Sequence, residues 1–251
     1  MNKEELIQVF NDTKRTSNTN KDSFKSETTK YSEMDIIVPK KIRVIDSDTV
    51  SAAVKYSPKG KTCVLNMASA KTAGGGVEYG EVAQEECLFR CSNLVNTVTQ
   101  DFYPLKENEA LYSKNVMFFK DVNYEDMESI TIDVVTIASV NLNINSTYDE
   151  KTETYIDGIV ERGNGYWEVM TKKVRLMLSL AAKNEVKYII LGAWGCGVFK
   201  NDPYDVSEIF KEVLFYEGYV NLFDGVIFAI INDKNSVADN LSIFKDCFDD
   251  K

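Results

Sequence analysis

The chain has 251 residues, 44% of them apolar and 27% charged, which suits one sizeable α/β domain with its own core. No apolar run reaches the roughly 18 residues of a membrane span, and the N-terminus lacks a secretory apolar stretch, so a soluble intracellular protein with no membrane partner is expected. A formal charge of −10 disfavours generic nucleic-acid binding, and the absence of histidine excludes Ser-His-Asp and Cys-His catalysis. Five scattered cysteines without a CxxC pair or any histidine read as free thiols in a reducing compartment. They offer no tetrahedral metal site, so neither metal nor cofactor is expected.

In chain order, residues 2–13 place Leu6, Val9 and Phe10 on one helical face, and the polar stretch after them reads as an exposed, partly disordered connection. Ile42 to Ile45 reads as a strand, and Ser47 or Asp48 can cap a helix through Val54. Thr62 to Met67 is a buried strand, followed by a glycine-rich loop and a helix from Ala83 to Val98. Strands follow at Val116 to Phe119 and Ile130 to Ala138, then a helix from Tyr166 to Ala182. Val186 to Leu191 is another strand, a second glycine-rich loop leads to a helix from Pro203 to Glu217, and Val226 to Ile231 is the last strand. Alternating strands and helices indicate a three-layer α/β domain whose strand-end loops hold the ligand.

Two loops carry the chemistry. The first runs from Asn66 through Gly74, Gly75 and Gly76 to Gln84, Glu85 and Glu86 at the head of a helix. Three glycines allow positive φ and close approach of backbone to a ligand, although a flexible loop before an acidic first turn reads the same way. The second, Gly192 to Pro203, leaves N–H groups free to form an anion nest, and the helix that follows would add its N-terminal dipole. A plain strand-to-helix turn fits that glycine content equally. An acidic protein can hold a phosphate by backbone N–H groups in this way without basic residues.

The wording NMASAKTAGGG followed by AQEECLFRCSNL resembles the bacterial-type poly(ADP-ribose) glycohydrolases, whose signature sets GGG before QEE at this spacing. LGAWGCGVFKNDP resembles their diphosphate-binding loop and VIFAI their final core strand, so the likeness spans residues 40 to 245. The resemblance implies a macrodomain-like three-layer α/β/α sandwich with a mixed central sheet over residues 40–251, preceded by an N-terminal helical extension over 1–39. It implies an ADP-ribose cleft at the strand ends. Gly74, Gly75 and Gly76 would wrap the ribose whose bond is cut, with Asn66 and Gln84 as polar contacts. Gly195, Cys196, Gly197 and Val198 would cradle the diphosphate, Phe199 would pack against a sugar, and Phe228 or a neighbour would border the adenine.

The implied activity is hydrolysis of ribose–ribose O-glycosidic bonds, by a monomer, in poly(ADP-ribose) attached to protein. An ADP-ribose reader that does not cut, and a hydrolase of mono-ADP-ribose on protein or nucleic acid, are the alternatives. The leaving oxygen of such a bond needs a proton. Glu85 and Glu86 are sequential and point about 100° apart on a helix, so they cannot both flank one bond and must differ in role. By resemblance Glu86 is the acid that later activates water, and Glu85 binds ribose hydroxyls. The ligand's diphosphate would help stabilise the cationic sugar.

Other features read more plainly. Cys87 and Cys91, one turn apart, suit an apolar helix face, and Cys196 is expected for its size. Trp167 and Trp194 read as packing residues, and the terminal KDCFDDK as a solvated tail. Glu78 and Glu81 would oppose a diphosphate if they pointed inward. The segment from Thr136 to Glu153 resembles the family only loosely, and any substrate contacts there are unassigned.

Overall fold

The computed structural model describes residues 42–143 and 165–248, the backbone of 147–149 and 154–156, and Gln8, Asn11, Asp12 and Arg15. The chain forms two compact units, Met1–Pro39 and Lys40–Lys251. In the first, the four described residues are helical and Arg15 pairs with Asp12 at 3.1 Å; the rest of the expected helix and the polar connection lie outside the described residues.

The second unit is built on a six-stranded mixed sheet. Its strands are β1 (Ile42–Asp46), β2 (Thr62–Met67), β3 (Leu111–Lys120), β4 (Asp126–Ile137), β7 (Tyr188–Leu191) and β8 (Gly225–Ile230). The order is β1-β8-β7-β2-β4-β3, parallel except for the final β3–β4 pair. Two short strands, β5 (Thr147–Asp149) and β6 (Thr154–Ile156), pair separately. Helices α1 (Thr49–Tyr56), α2 (Gln84–Cys91), α3 (Tyr166–Lys183), α4 (Pro203–Lys211) and α5 (Asn240–Phe248) complete the unit.

The central strands explain the layers. Residues of β2 are buried on both faces, as a parallel strand covered by helices requires. Cys63 and Leu65 join the core that contains buried residues of α3, α4 and α5, whereas Val64 joins the one formed by α1 and α2. Period-two alternation therefore splits one apolar run between two cores. Asn66 falls on the α1–α2 face, where it is fully buried.

Several elements differ from the sequence expectation. The helix expected to reach Val98 stops at Cys91. Ser92 turns extended and bridges Phe118 of β3; its hydroxyl donates to the Leu88 carbonyl at 2.7 Å and accepts from the Leu94 N–H at 3.2 Å. A side chain that satisfies both backbone groups ends the helix more effectively than apolar periodicity extends it. The Pro203 helix is α-helical to Lys211 and then widens into a π turn over Glu212–Tyr216. Strands β3 and β4 both begin earlier than expected, at Leu111 and Asp126, and the turn between them is fixed by Asp121 Oδ1 accepting from the Asn123 and Glu125 N–H groups.

The expected solvated tail is instead largely α5, and it corrects the reading of Phe228 as well. Phe244 and Phe248 are buried, with ring centroids 5.3 and 4.7 Å from that of Phe228, which is itself fully buried and packed edge-on to Phe210. Tail charges concealed an amphipathic helix. Residues 249–251 lie outside the described residues. Phe228→Ala should cost about 3–5 kcal/mol in urea denaturation, the price of an aromatic cavity in a packed core. Trp194 is buried, its Nε1 donating to the Ile137 carbonyl at 3.2 Å, as a packing residue should be. Trp167 is 43% exposed and donates to Glu212 at the surface, contrary to the packing role expected of it.

Candidate active site

A cleft of about 400 Å³ opens at the carboxyl ends of the parallel strands. One wall comes from Met67 at the end of β2 with Ala68 and Ser69 after it, another from the head of α2, and a third from the loop after β7. The far end is closed by Ile231, Asp233, Asn235 and Ser236 after β8.

Both glutamates at the head of α2 are buried and line this cleft, but they are held differently. Glu85 Oε2 accepts from the Ser69 N–H at 2.7 Å, and its Oε1 accepts from Asn66 Nδ2 at 3.2 Å. Asn66 is fixed in turn by Thr136 Oγ1 at 3.3 Å, on the adjacent strand β4. Glu86 Oε1 accepts from the Gly76 N–H at 2.9 Å, while its Oε2 is buried with no hydrogen-bond partner. Burial pushes the Glu85 carboxyl up to about 7, against the lowering effects of the Ser69 N–H and the Asn66 amide.

That shift makes stability depend on pH. The folded-state value lies above the unfolded value, so the native state keeps a proton that the unfolded state loses between about pH 4 and 7. The associated stability is complete below the unfolded pKa and is lost as pH rises through the folded one, to a total of about 3 kcal/mol. Urea midpoints measured from pH 4 to 8 should therefore fall with rising pH, and Glu85→Gln should flatten that part of the profile.

The triple glycine does what its composition allows. Gly74 and Gly75 have φ of 74° and 59°, in the left-handed region. A Cβ at Gly74 would meet the Phe89 ring at 2.7 Å. A Cβ at Gly75 would run into Glu86 Oε1 and lie 3.2 Å from Glu85 Oε2. Both carboxylates thus converge on the Gly75 backbone despite their angular separation on the helix. Gly75 lines the cleft; Gly74 is buried behind it, and Gly76 acts through its N–H. Arg90 clamps the intervening loop by donating to the Glu81 carbonyl at 2.6 Å, and Glu78 and Glu81 lie outside the cleft lining.

Gln84 lines the cleft, but its amide is committed to the scaffold. It donates to the Leu65 carbonyl at 2.6 Å and to Thr49 Oγ1 at 3.2 Å, and accepts from the Met67 N–H at 2.9 Å. Asn66 likewise holds Glu85 and is not part of the cleft lining. These two expected ribose contacts serve to lock α2 onto the end of β2.

In the second loop, Gly195, Gly197, Val198 and Phe199 line the cleft, and their N–H groups meet no acceptor among the described residues. Asn201 holds the loop, donating to the Val140 and Gly195 carbonyls at 2.7 and 3.0 Å and accepting from the Tyr166 hydroxyl at 2.9 Å. Leu142, within the segment whose substrate contacts were unassigned, pins the loop further by donating its N–H to the Phe199 carbonyl at 2.8 Å. Cys196 is fully buried behind the loop, where burial pushes its thiol pKa up, in keeping with a size role and not with a ligand contact. The helix that follows does not contribute as expected. Its N-terminus is capped by Asp202, which accepts from the Tyr204 N–H at 2.9 Å, and neither residue lines the cleft. The N–H groups open to the cleft are therefore those of the loop and not of the helix.

Phe228 points into the opposite core and is absent from the cleft lining, whereas its neighbours Ala229 and Ile230 are part of it. The sequence reading overlooked Ser69 and the 233–236 turn, in which Asp233 Oδ1 accepts from the Asn235 N–H at 2.8 Å. A polar run directly after the last strand was the available signal for that turn. Among the described residues there is no group of three side chains suited to a metal, and no helix long and apolar enough to cross a membrane.

Comparisons with known proteins bear on the fold and family. The family described as "Microbial-type PARG, catalytic domain" matches residues 3–123, which include the triple glycine and both glutamates. Poly(ADP-ribose) glycohydrolase from Deinococcus radiodurans in complex with ADP-ribose is 28% identical, with a TM-score of 0.68 over 83% of this chain and 84% of that one. The Thermomonospora curvata enzyme bound to the inhibitor ADP-HPD is 27% identical, with a TM-score of 0.67 over 82% and 78%. A further structure of the enzyme from the same organism reaches a TM-score of 0.69 at 26% identity over 90% and 80%. No curated protein matches significantly. Family model and fold agree in making the chain similar to the microbial-type poly(ADP-ribose) glycohydrolases.

Proposed function

We propose that this protein hydrolyses the ribose–ribose O-glycosidic bonds of poly(ADP-ribose) and releases ADP-ribose, with Glu86 as acid and then base. The observation that carries the reading is the unequal setting of the two carboxylates. Glu85 has both oxygens anchored, whereas Glu86 has one oxygen fixed by the Gly76 N–H and the other buried and without a partner beside the cleft. A buried, unpartnered oxygen is costly unless something that binds there completes it. The leaving ribose oxygen is that group: Glu86 protonates it as the glycosidic bond breaks, then takes a proton from the water that attacks the sugar.

Glu85, anchored by Ser69 and Asn66, orients the sugar through its remaining lone pairs. The free N–H groups of Gly195, Gly197, Val198 and Phe199 take the diphosphate, and the Ala229 to Ser236 end of the cleft takes the adenosine. Phe199 packs against a sugar. We take the substrate to be polymer on protein and the enzyme to be a soluble intracellular monomer. Incubating the protein with poly(ADP-ribose) should release ADP-ribose, and calorimetry should show ADP-ribose binding. Binding without release would make the chain a reader or direct its chemistry to mono-ADP-ribose.

A further inference from the structure

Two thiols on the catalytic helix are unused by the reaction just described. Cys87 follows Glu86 directly, lines the cleft and is half-buried. Cys91, fully buried, is the last residue of α2, and the two Sγ atoms are 3.9 Å apart. Cys91 Sγ also donates to the Asp121 carbonyl at 3.1 Å. We propose that Cys87 and Cys91 form a reversible thiol–disulfide pair, oxidised by hydroperoxides through the open cleft, that distorts α2 and disables the site.

The two cysteines are unequal in the way such chemistry needs. Contact with Cys91 lowers the Cys87 pKa, with Arg90 adding to this, against burial and the Asp48 carboxylate; the same contact, with burial, raises that of Cys91. The accessible thiol is therefore the better thiolate, and the buried one keeps its proton, which it donates to the Asp121 carbonyl. The Cys87 thiolate attacks a peroxide oxygen, the O–O bond breaks, and protonation of the leaving oxygen releases water and leaves a sulfenic acid. Cys91 sulfur then attacks the Cys87 sulfur, displacing a second water and forming the S–S bond. Sulfur is oxidised by two electrons and the hydroperoxide is reduced by two.

Geometry supplies the consequence. Helical residues four apart have Cβ atoms about 5–6 Å apart, whereas a disulfide holds them at about 3.5–4.5 Å. Closure must therefore deform the helix. The last turn can open because Ser92 is already extended, and α2 has only eight residues to absorb the change. Glu86 is next to Cys87, so the deformation reaches the carboxylate. Strained disulfides of this kind are easily reduced, which makes the change reversible.

Arg90 lies between the two cysteines, which gives a direct readout. Trypsin cleaving after Arg90 separates the Cys87 and Cys91 peptides unless a disulfide joins them. Full-length protein treated with hydrogen peroxide should yield the joined pair by mass spectrometry, and a dithiol should release it. ADP-ribose in the cleft should slow its formation. Cys91→Ser, which keeps a donor for the Asp121 carbonyl, should instead trap Cys87 sulfenic acid, detectable with a 1,3-dione probe. Separate peptides after peroxide treatment of the wild type would overturn the proposal, as would a joined pair that leaves ADP-ribose binding and polymer cleavage unchanged. The loss of cleavage rests on the proposed function, whereas the joined peptides do not; a chain that forms the pair yet never cleaves polymer would refute only the former.

Discussion

Glu86→Gln should lower turnover of poly(ADP-ribose) by about 10²–10⁴-fold, the usual contribution of a positioned acid and base, while ADP-ribose still binds. Glutamine keeps an oxygen for the Gly76 N–H, which Glu86 Oε1 accepts at 2.9 Å, so the loop stays in place. What it lacks is a proton to give the leaving ribose oxygen and a carboxylate to take one from water. Single-turnover release of ADP-ribose, paired with calorimetry and thermal unfolding of the same sample, distinguishes this from misfolding. Turnover within a few-fold of wild type would remove Glu86 from the mechanism. Glu85, whose raised carboxyl pKa of about 7 otherwise suits an acid, would then be the candidate.

Gly75→Ala should cost about 10²-fold or more in turnover and, through the left-handed backbone, about 1–2 kcal/mol of stability. Two effects act at once. The φ of 59° disfavours any Cβ, and the new methyl group would run into Glu86 Oε1 while lying 3.2 Å from Glu85 Oε2. Displacing a catalytic oxygen by about an ångström is costly out of proportion to the distance moved. Gly80→Ala is the control: its φ is 80°, but nothing lies within 4 Å of the added Cβ. It should show the stability loss with turnover close to wild type. Equal turnover losses in the two variants would mean that loop conformation, and not contact with the carboxylates, sets the rate.

Much of the fold was legible from local pattern. Buried runs such as Thr62–Met67 and Gly225–Ile230 have the apolar density of parallel strands covered on both faces, and Asp48 before Thr49 marks a helix start. The elements misread were those whose ends are decided at a distance. Ser92 stops α2 in order to bridge β3, and the charges of the last residues masked a helix that exists because Phe244 and Phe248 have Phe228 to cover.

The sequence by itself restricted the chemistry: without histidine, acid–base work falls to Glu, Asp, Cys, Lys or Tyr, and a negative charge disfavours generic nucleic-acid binding. Motif spacing carried the family resemblance that named the ligand. Only the tertiary structure separated contact from support. Asn66 and Gln84 proved to be braces for Glu85 and α2, Cys196 and Phe228 proved to be core, and Asp202 withdrew the α4 terminus from the anion site. Which carboxylate keeps a free oxygen depends on the Ser69 and Gly76 N–H groups, 16 and 10 residues away in the chain. Hydrogen-bond satisfaction is settled by atoms that folding brings within 3 Å or so, a relation that local sequence does not encode.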